Sequence, residues 1–413
     1  MSVGDRGEYL RQVLPLLWPP PARITRCGRM TRSRAAAAEF LIFPSERRAA
    51  LLVPRRPRRA AAAALRHYKA SASARDRLRF RLAAIAAGTG AAEVLPDRVR
   101  IEPAGPAVAE ADIASHLSAA LRRQAIVSLH VGAPRANRKP VLQVLAPDGA
   151  ALGFAKVGVN PLTRELVRAE ATALALLAQA PLTHVRPPRL LYHGQWRGNE
   201  VLIQEAFPAA RPARNHGELG GAMTEIAGIR GLSHLPAAQS SYWQRLRTRL
   251  RALDQREAAG SLLAALGALE RAEGELTLAV GSWHGDWTPW NMTMSRGQAL
   301  VWDWERFETG VPVGFDAVHY WLQGAIIRSG TPPVTAAEMA VSRAAELVAP
   351  LGVAPQTASL VAALYLVEIA ARYLHDGQAE AGARLGRVEE WLLPVLTGHT
   401  RRLSSPLRAS GGG

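Results

Sequence analysis

The order of strand-like and helix-like segments constrains the fold of this chain more than any other feature. Between residues 124 and 208, four short apolar segments are typical of strands, and one segment of good helix formers, 165–180, lies between the third and the fourth. After residue 208 helical periodicity dominates, except over 283–304, which predicts a loop and a hairpin. A β-rich region followed by an α-rich region predicts an α+β fold.

The predicted elements of these two regions have definite positions. The strand-like segments are 126–131, 141–146, 153–159 and 199–207. The helices that follow are Ser241–Leu253, Ala258–Glu273, Ala317–Arg328, Ala336–Val348, Thr357–His375 and Ala381–Val395. The most apolar stretch, Ala358–Val367, ends at Glu368, and its shortness favours a buried core helix over a membrane span.

The N-terminal part of the chain has a different pattern. Residues 1–35 are rich in Arg and Pro and have no clear hydrophobic period, so we expect them to be disordered. The next segments predict two strands (Phe40–Phe43, Ala50–Val53) and two helices (Arg58–Tyr68, Ala74–Ala87). We therefore expect five regions: a basic segment (1–35), an N-terminal extension of short strands and helices (36–123), a β-rich lobe (124–208), a helical lobe (209–400) and a flexible tail (401–413).

The positive charge is concentrated toward the N-terminal end of the sequence. The chain has a formal net charge of +17, but residues 1–69 hold 15 Lys or Arg against 4 Asp or Glu, whereas residues 216–400 hold 14 against 19. The run Pro54–Arg59 could contact nucleic acid or anionic lipid, although a solvated Arg-rich surface is the preferred interpretation. We therefore do not expect nucleic acid as a partner.

Cysteine usage and the N-terminal segment bear on location. The single cysteine, Cys27, excludes an intramolecular disulfide and fits a reducing compartment. The first 20 residues have early acids and no sustained apolar run, so we expect no secretory signal and a cytoplasmic protein. The histidines do not cluster with cysteine or carboxylates, so a structural zinc site is not expected.

The most specific chemical signal is HGDWTPWN, from His284 to Asn291, which is followed by VWDWE with Asp303. Transfer of a phosphoryl group requires a carboxylate that orients the acceptor hydroxyl and accepts its proton. It also requires oxygen ligands for magnesium, such as a second carboxylate and an amide. The loop supplies Asp286 and Asn291, and an apolar strand presents Asp303. A surface turn rich in Asp and Trp is the alternative, but it would need three spaced elements to coincide.

Together the two motifs resemble the aminoglycoside phosphotransferase and choline kinase family, over about residues 124–400. The resemblance implies a two-lobed protein-kinase-like fold with a small antiparallel β lobe that binds nucleotide and a larger helical lobe for catalysis and substrate. It implies that Asp286 is the catalytic base and that Asn291 and Asp303 coordinate Mg²⁺. His284 would be structural, and Asp316 would brace the loop through backbone hydrogen bonds.

The same resemblance assigns the phosphate and adenine contacts of ATP. Lys156, one of only three lysines in the chain, lies on a predicted strand, and Glu170 lies 14 residues later on the predicted helix. In this fold such a lysine reaches the α- and β-phosphates and the glutamate holds it. Glu165 on the same helix is the alternative partner, and Lys156 could instead be an ordinary strand-edge cation. The resemblance places adenine against the backbone of Gln204, Glu205 and Phe207.

The chain departs from the family pattern in two loops. The segment 130–140, where a nucleotide loop is expected, contains only one glycine, Gly132. Its cations could contact phosphate or belong to a solvated turn; they are Arg135, Arg138 and Lys139. In the catalytic loop, the bulk of Trp287 and Trp290 is expected to reshape the acceptor side.

These observations predict an ATP- and Mg²⁺-dependent phosphotransferase that acts on a hydroxyl of a small molecule. The acceptor could be an amino alcohol, a sugar or an antibiotic-like compound, because fold-level similarity does not identify a substrate. A catalytically idle kinase-like module that binds a nucleotide or a partner is the alternative. The intact set of Lys156, Asp286, Asn291 and Asp303 argues against it.

Overall fold

The structure is a computed structural model, and it describes residues 4–27, 38–67, 74–91, 97–102, 112–207, 217–253 and 257–404. The strands are β1 (Arg23–Cys27), β2 (Ala38–Phe43), β3 (Leu51–Pro54), β4 (Arg98–Glu102), β5 (Ile126–His130), β6 (Val141–Leu145), β7 (Ala151–Gly158), β8 (Val185–Arg186), β9 (Leu190–Trp196), β10 (Asn199–Gln204), β11 (Ser233–Pro236), β12 (Thr277–Trp283), β13 (Met292–Ser295), β14 (Gln298–Val301) and β15 (Glu308–Pro312).

The helices are α1 (Gly4–Leu17), α2 (Arg58–His67), α3 (Ala74–Thr89), α4 (Ile113–Leu121), α5 (Pro161–Leu177), α6 (Gly217–Gly228), α7 (Ser241–Arg251), α8 (Glu257–Glu273), α9 (Phe315–Gln323), α10 (Pro333–Ser342), α11 (Ala344–Val348), α12 (Pro355–Asp376) and α13 (Leu392–Ser404). The chain divides into a sheet unit, 1–134, 138–171 and 188–209, and a helical unit, 135–137, 172–187 and 210–413. The α+β class that the sequence predicts is confirmed.

The sheet unit is built on one nine-stranded sheet in the order β1-β4-β2-β3-β5-β6-β7-β10-β9. Every neighbouring pair in it is antiparallel. Strands of the N-terminal extension continue this sheet, because β3 pairs with β5 through Leu51 opposite His130 and Leu52 opposite Leu129. The β-rich lobe is therefore larger than the small sheet that the sequence predicts.

At β2 both faces of this sheet are covered, which explains the unbroken apolar run in that strand. Phe40 and Ile42 face a core that includes α1 and α4, whereas Leu41 and Phe43 face a core formed with α2 and α3. Successive side chains of a strand point to opposite faces, so a sheet buried on both sides needs apolar residues at every position.

The prediction that residues 1–35 are disordered is wrong for 4–27, where the structure has α1 and β1. The helix buries Leu10, Leu14 and Leu17, and the ring of Trp18 lies 5.2 Å from that of Phe40. The spacing of the buried leucines is that of one helix face. Pro15 within this helix obscured the pattern. Residues 28–35 lie outside the described part of the chain.

In the helical unit, α12 is the centre of the core. Sixteen of its 22 residues are buried, including every position from Leu360 to Ala371. Among the described residues, α12 is the one helix that is long and apolar enough to cross a membrane. However, 83% of its most apolar window is buried inside the protein. The expectation of a buried core helix here is confirmed.

Two predicted helices differ from the observed ones. The helix expected over Ala336–Val348 is interrupted at Arg343, between α10 and α11. Over Ala381–Val395 the chain forms short 3-10 turns, and α13 begins only at Leu392. At Gly386 a Cβ atom would lie 2.3 Å from the backbone nitrogen of Ala379. The chain therefore folds back closely on itself here, in place of a regular helix.

Candidate active site

The loop His284–Asn291 connects β12 to β13 and is fixed through its backbone by Asp316. Asp316, in the first turn of α9, accepts hydrogen bonds from the backbone N–H of His284 at 2.7 Å and of Gly285 at 3.1 Å. Gly285 has φ +82°, and a Cβ atom there would lie 2.2 Å from the carbonyl oxygen of Arg306. The His-Gly-Asp sequence thus needs its glycine, and Asp316 makes the backbone contacts that the resemblance implies.

The second support of this loop is Arg372 on α12, which sequence reasoning missed. Its Nη1 donates to the carbonyl oxygen of Gly285 at 2.6 Å, and its guanidinium lies over the ring of Trp283, 4.9 Å from the centroid. Asp316 therefore accepts from the loop backbone while Arg372 donates to it. Burial raises the pKa of the Asp316 carboxyl. The two backbone hydrogen bonds and the charge of Arg372 lower this pKa, and the net value is about 7.

His284 makes hydrogen bonds within the loop and to the backbone just after β14. Its Nδ1 accepts the backbone N–H of Asp286 at 3.0 Å, and its Nε2 lies 3.2 Å from the carbonyl oxygen of Trp302. These partners require a neutral ring with its proton on Nε2. Burial lowers the pKa of His284 to about 4, in agreement with a neutral imidazole.

Asp286 is held by one hydrogen bond to each carboxylate oxygen. His319 Nε2 lies 3.0 Å from Oδ1, and Asn291 Nδ2 donates to Oδ2 at 2.8 Å. The Asp286 side chain is nevertheless 34% exposed. Burial raises the pKa of this carboxyl, but the hydrogen bond from His319 opposes it, and the net effect is a pKa below the ordinary value. The result is an ionised carboxylate with a fixed orientation and an accessible edge.

Asn291 and Asp303 are the candidate metal ligands. Asn291 is the last residue of the loop, and Asp303 follows β14 close to it. The backbone N–H of Trp302 donates to the carbonyl oxygen of Asn291 at 3.0 Å, which joins the end of the loop to the residue before Asp303. The Asp303 charge raises the pKa of Asp286 and of His284, so it acts on both. Asp303 has a left-handed backbone with φ 75°, uncommon for a residue other than glycine and enriched at functional sites.

The donor set of this loop fits a hard divalent cation. The Asn291 amide nitrogen donates to both the carbonyl oxygen and Oδ2 of Asp286, which leaves the amide oxygen for a cation. Asp303 supplies a carboxylate. Magnesium prefers such oxygen ligands and commonly takes only one or two from the protein.

In the sheet unit, Lys156 and Glu170 form a buried ion pair. Lys156 lies on β7, opposite Val141 and Leu202 of the neighbouring strands, and its Nζ lies 2.6 Å from each carboxylate oxygen of Glu170 on α5. The side chains are 7% and 0% exposed. Glu165, the alternative partner, is exposed on the same helix.

The segment expected to receive adenine follows β10. The backbone N–H of Glu205 donates to the carbonyl oxygen of Arg189 at 2.9 Å, so this amide is already engaged. The Oε1 atom of Gln204 is buried and has no hydrogen-bond partner among the described residues. Phe207 is the last described residue before a gap at 208–216.

The structure bears on two further expectations about the loops. Trp287 is fully buried, with its Nε1 3.3 Å from the sulfur of Met292, so it packs inside the loop. Trp290 is partly buried. In the segment 130–140, the Arg138 guanidinium lies 3.4 Å from the ring centroid of Tyr9 on α1, an engagement that favours packing over phosphate contact.

His319 and Tyr365 are the further polar side chains around Asp286 that sequence reasoning missed. His319 lies three residues after Asp316 on α9, and Tyr365 contributes from α12. Helix geometry places positions three apart on one face. That spacing was a signal for His319, whereas the approach of Tyr365 depends on tertiary packing.

No family model matches the chain, and no curated protein matches it. Among solved structures, a putative fructosamine-3-kinase from Haemophilus somnus 129PT has 14% identity and a TM-score of 0.40, covering 71% of this chain and 97% of that one. An aminoglycoside phosphotransferase in a ternary complex with ADP and hygromycin B has 12% identity and a TM-score of 0.43, covering 71% and 99%. A choline kinase from Streptococcus pneumoniae has 15% identity and a TM-score of 0.44, covering 68% and 97%. The chain is thus similar in fold to small-molecule kinases of the group that its loop motif resembles.

Proposed function

We propose that this chain is an ATP- and Mg²⁺-dependent phosphotransferase that phosphorylates a hydroxyl group of a small molecule. The observation that carries the proposal is Asp286, a carboxylate fixed through both oxygens yet 34% exposed. A general base needs this combination, because it must be oriented toward an incoming hydroxyl and remain accessible to it. A purely structural aspartate would have no need of an exposed edge.

In the proposed reaction, Asp286 orients the acceptor hydroxyl and takes its proton. As the acceptor oxygen bonds to the γ-phosphorus, the bond from that phosphorus to the β–γ bridging oxygen breaks and ADP leaves. Asn291 and Asp303 would hold Mg²⁺, which supplies charge neutralisation at the phosphate oxygens. Lys156, fixed by Glu170, would contact the phosphates of the nucleotide. We place this activity in the cytoplasm, where ATP and Mg²⁺ are available.

A screen of phosphoryl acceptors tests this proposal. ADP formation would be followed with ATP or GTP and Mg²⁺ against pooled amino alcohols, sugars and antibiotics. Asp286→Asn would be compared with Asp148→Asn, which changes an exposed turn carboxylate in the same way. We expect acceptor-dependent ADP formation that falls by about 100-fold or more in Asp286→Asn and stays unchanged in the control. Nucleotide binding with no turnover for any pool would instead favour the idle kinase-like module.

A further inference from the structure

A buried chain of two hydrogen bonds connects the helical core to the candidate base. Tyr365 Oη lies 2.8 Å from His319 Nδ1, and His319 Nε2 lies 3.0 Å from Asp286 Oδ1. Tyr365 and His319 are 0% and 2% exposed, so the bond between them is shielded from water. The two residues come from α9 and α12, which pack on each other in the core of the helical unit.

The direction of both hydrogen bonds follows from chemistry. An ionised carboxylate only accepts, so Nε2 of His319 must carry a proton and donate to Asp286. Burial lowers the pKa of His319 despite the opposing effect of Asp286, so the ring is neutral and Nδ1 is an acceptor. Tyr365 must then donate, and burial keeps its pKa well above the ordinary value and its hydroxyl protonated.

The same two helices also hold the backbone of the loop. On α9, Asp316 accepts from the loop backbone and His319, one turn later, donates to the Asp286 side chain. On α12, the Tyr365 hydroxyl is the first group in the chain of hydrogen bonds. Arg372, seven residues later on the same face of α12, donates to Gly285. Each helix therefore supplies one group for the loop backbone and one for the orientation of its carboxylate.

We infer that His319 and Tyr365 are positioning residues for Asp286: Tyr365 fixes the tautomer of His319, and His319 fixes the rotamer of the carboxylate. His319 occupies one lone pair of Oδ1 and Asn291 occupies one of Oδ2, which leaves the outer edge of the carboxylate for a hydroxyl. This inference rests on the proposed function, because positioning matters only if Asp286 meets an acceptor.

Kinetics of variants in the chain distinguish positioning from packing. Tyr365→Phe removes one hydroxyl and keeps the ring, which packs edge-on against Phe315. Loss of the tautomer constraint should lower kcat by about tenfold and leave KM for Mg·ATP within about twofold, as expected for an interaction that matters in the transition state. The matched control is Tyr242→Phe, which removes a buried hydroxyl that donates to Glu368 on α12 at 3.0 Å. The control should lose comparable thermal stability and keep kcat.

Variants at His319 test the second bond and the coupling between the two. His319→Ala should lower kcat by about 100-fold, and His319→Gln, whose amide can still donate to Asp286, should recover part of that loss. If the two residues act in series, the double variant His319→Ala with Tyr365→Phe should be no slower than His319→Ala alone. If the two substitutions acted through independent packing effects, their fold-reductions in kcat would instead multiply in the double variant. The tautomer itself can be read from the ¹⁵N shifts of His319, which should report a proton on Nε2 in the wild type.

The outcomes separate this inference from the proposed function. A wild type that transfers phosphate, together with Tyr365→Phe and His319→Ala at wild-type kcat, overturns the positioning role and leaves the kinase assignment intact. A proton on Nδ1 of His319 in the wild type would overturn it as well, without any activity measurement. A wild type that binds nucleotide but never transfers phosphate overturns the kinase assignment and the positioning role together.

Discussion

At the scale of residues, the two carboxylates of the candidate site have different proposed roles. Asp286 is the proposed base, and Asp303 is a proposed Mg²⁺ ligand. Asp303→Ala removes the charged member of the proposed ligand pair and leaves the neutral amide of Asn291. We expect the Kd for Mg·ATP to rise by about tenfold or more, while the affinity for metal-free ATP changes little. Calorimetric titration with and without Mg²⁺ measures both. Equal weakening in the two titrations would contradict the metal role.

His284 gives a residue-level prediction about pH. Its pKa is lowered to about 4 in the folded protein from an ordinary 6.5, so the unfolded chain binds more protons between these values. Its contribution to stability is present above pH 6.5 and is lost as the pH falls toward 4. His130, whose pKa is also lowered to about 4 by burial, acts in the same direction.

We therefore expect the difference in unfolding free energy between the wild type and His284→Asn to depend on pH. Between pH 7 and pH 5 the wild type should lose about 2 kcal/mol more than the variant. Asparagine can still accept the backbone N–H of Asp286, and His130 is common to both proteins. Urea titrations at the two pH values give the measurement. Parallel curves would mean that His284 is charged or exposed in the folded protein.

The buried pair of Lys156 and Glu170 should respond differently to single and double substitution. Lys156→Met leaves the fully buried Glu170 carboxylate without its cation, which should cost about 3 kcal/mol of unfolding free energy. The double variant with Glu170→Leu should recover most of that loss, because it removes the buried charge as well. Both variants should bind Mg·ATP poorly. Chemical denaturation and nucleotide titration of both variants give the measurements. If Lys156 were only a strand-edge cation, Lys156→Met would leave the unfolding free energy unchanged.

At the scale of elements, α1 carries a prediction that reverses the sequence-based one. Leu14 of this helix is 1% exposed and belongs to the core that includes Phe40 and Val127. Leu14→Ala should lower the unfolding free energy by about 2–5 kcal/mol. The matched control is Leu16→Ala, since Leu16 is 43% exposed on the same helix. Equal, small effects in the two variants would support the sequence-based expectation that this segment is disordered.

Elements with strong local patterns could be predicted from the sequence, and those defined by partners could not. Strands β2, β3, β5, β6, β7 and β10 follow apolar runs, and α12 follows the most apolar stretch. Strand β4 alternates Arg with apolar residues, and β9 contains His, Gly and Gln, so neither resembles a buried strand by composition. Both are recognisable only through the neighbours with which they pair.

The candidate site follows the same division. The motif residues from His284 to Asp303 and the pair of Lys156 with Glu170 could be selected from sequence, because the required residue types occur at informative spacings. His319, Tyr365 and Arg372 could not, because their roles depend on how α9 and α12 pack against the loop. The burial of Trp287 depends on the same packing and has no signal in the sequence.

At the scale of the whole molecule, one sheet organises the N-terminal half of the chain. Strands from the N-terminal extension and from the β-rich lobe belong to one nine-stranded sheet. The extension supplies a hydrogen-bonded neighbour to β5, and its helix α4 shares a core with β7 and β10, the strands that carry Lys156 and Gln204. The 15 Lys or Arg of residues 1–69 thus lie in a part of the chain whose described elements pack in the cores of this sheet.

We propose that Asp286 acts in phosphoryl transfer and not in nucleotide binding. A single-turnover experiment with γ-labelled ATP, Mg²⁺ and the acceptor identified in the screen tests this by comparing the wild type with Asp286→Asn. We expect Mg·ATP affinities within about threefold of each other and a transfer rate at least about 100-fold lower in the variant. Wild-type-like transfer by Asp286→Asn would contradict it.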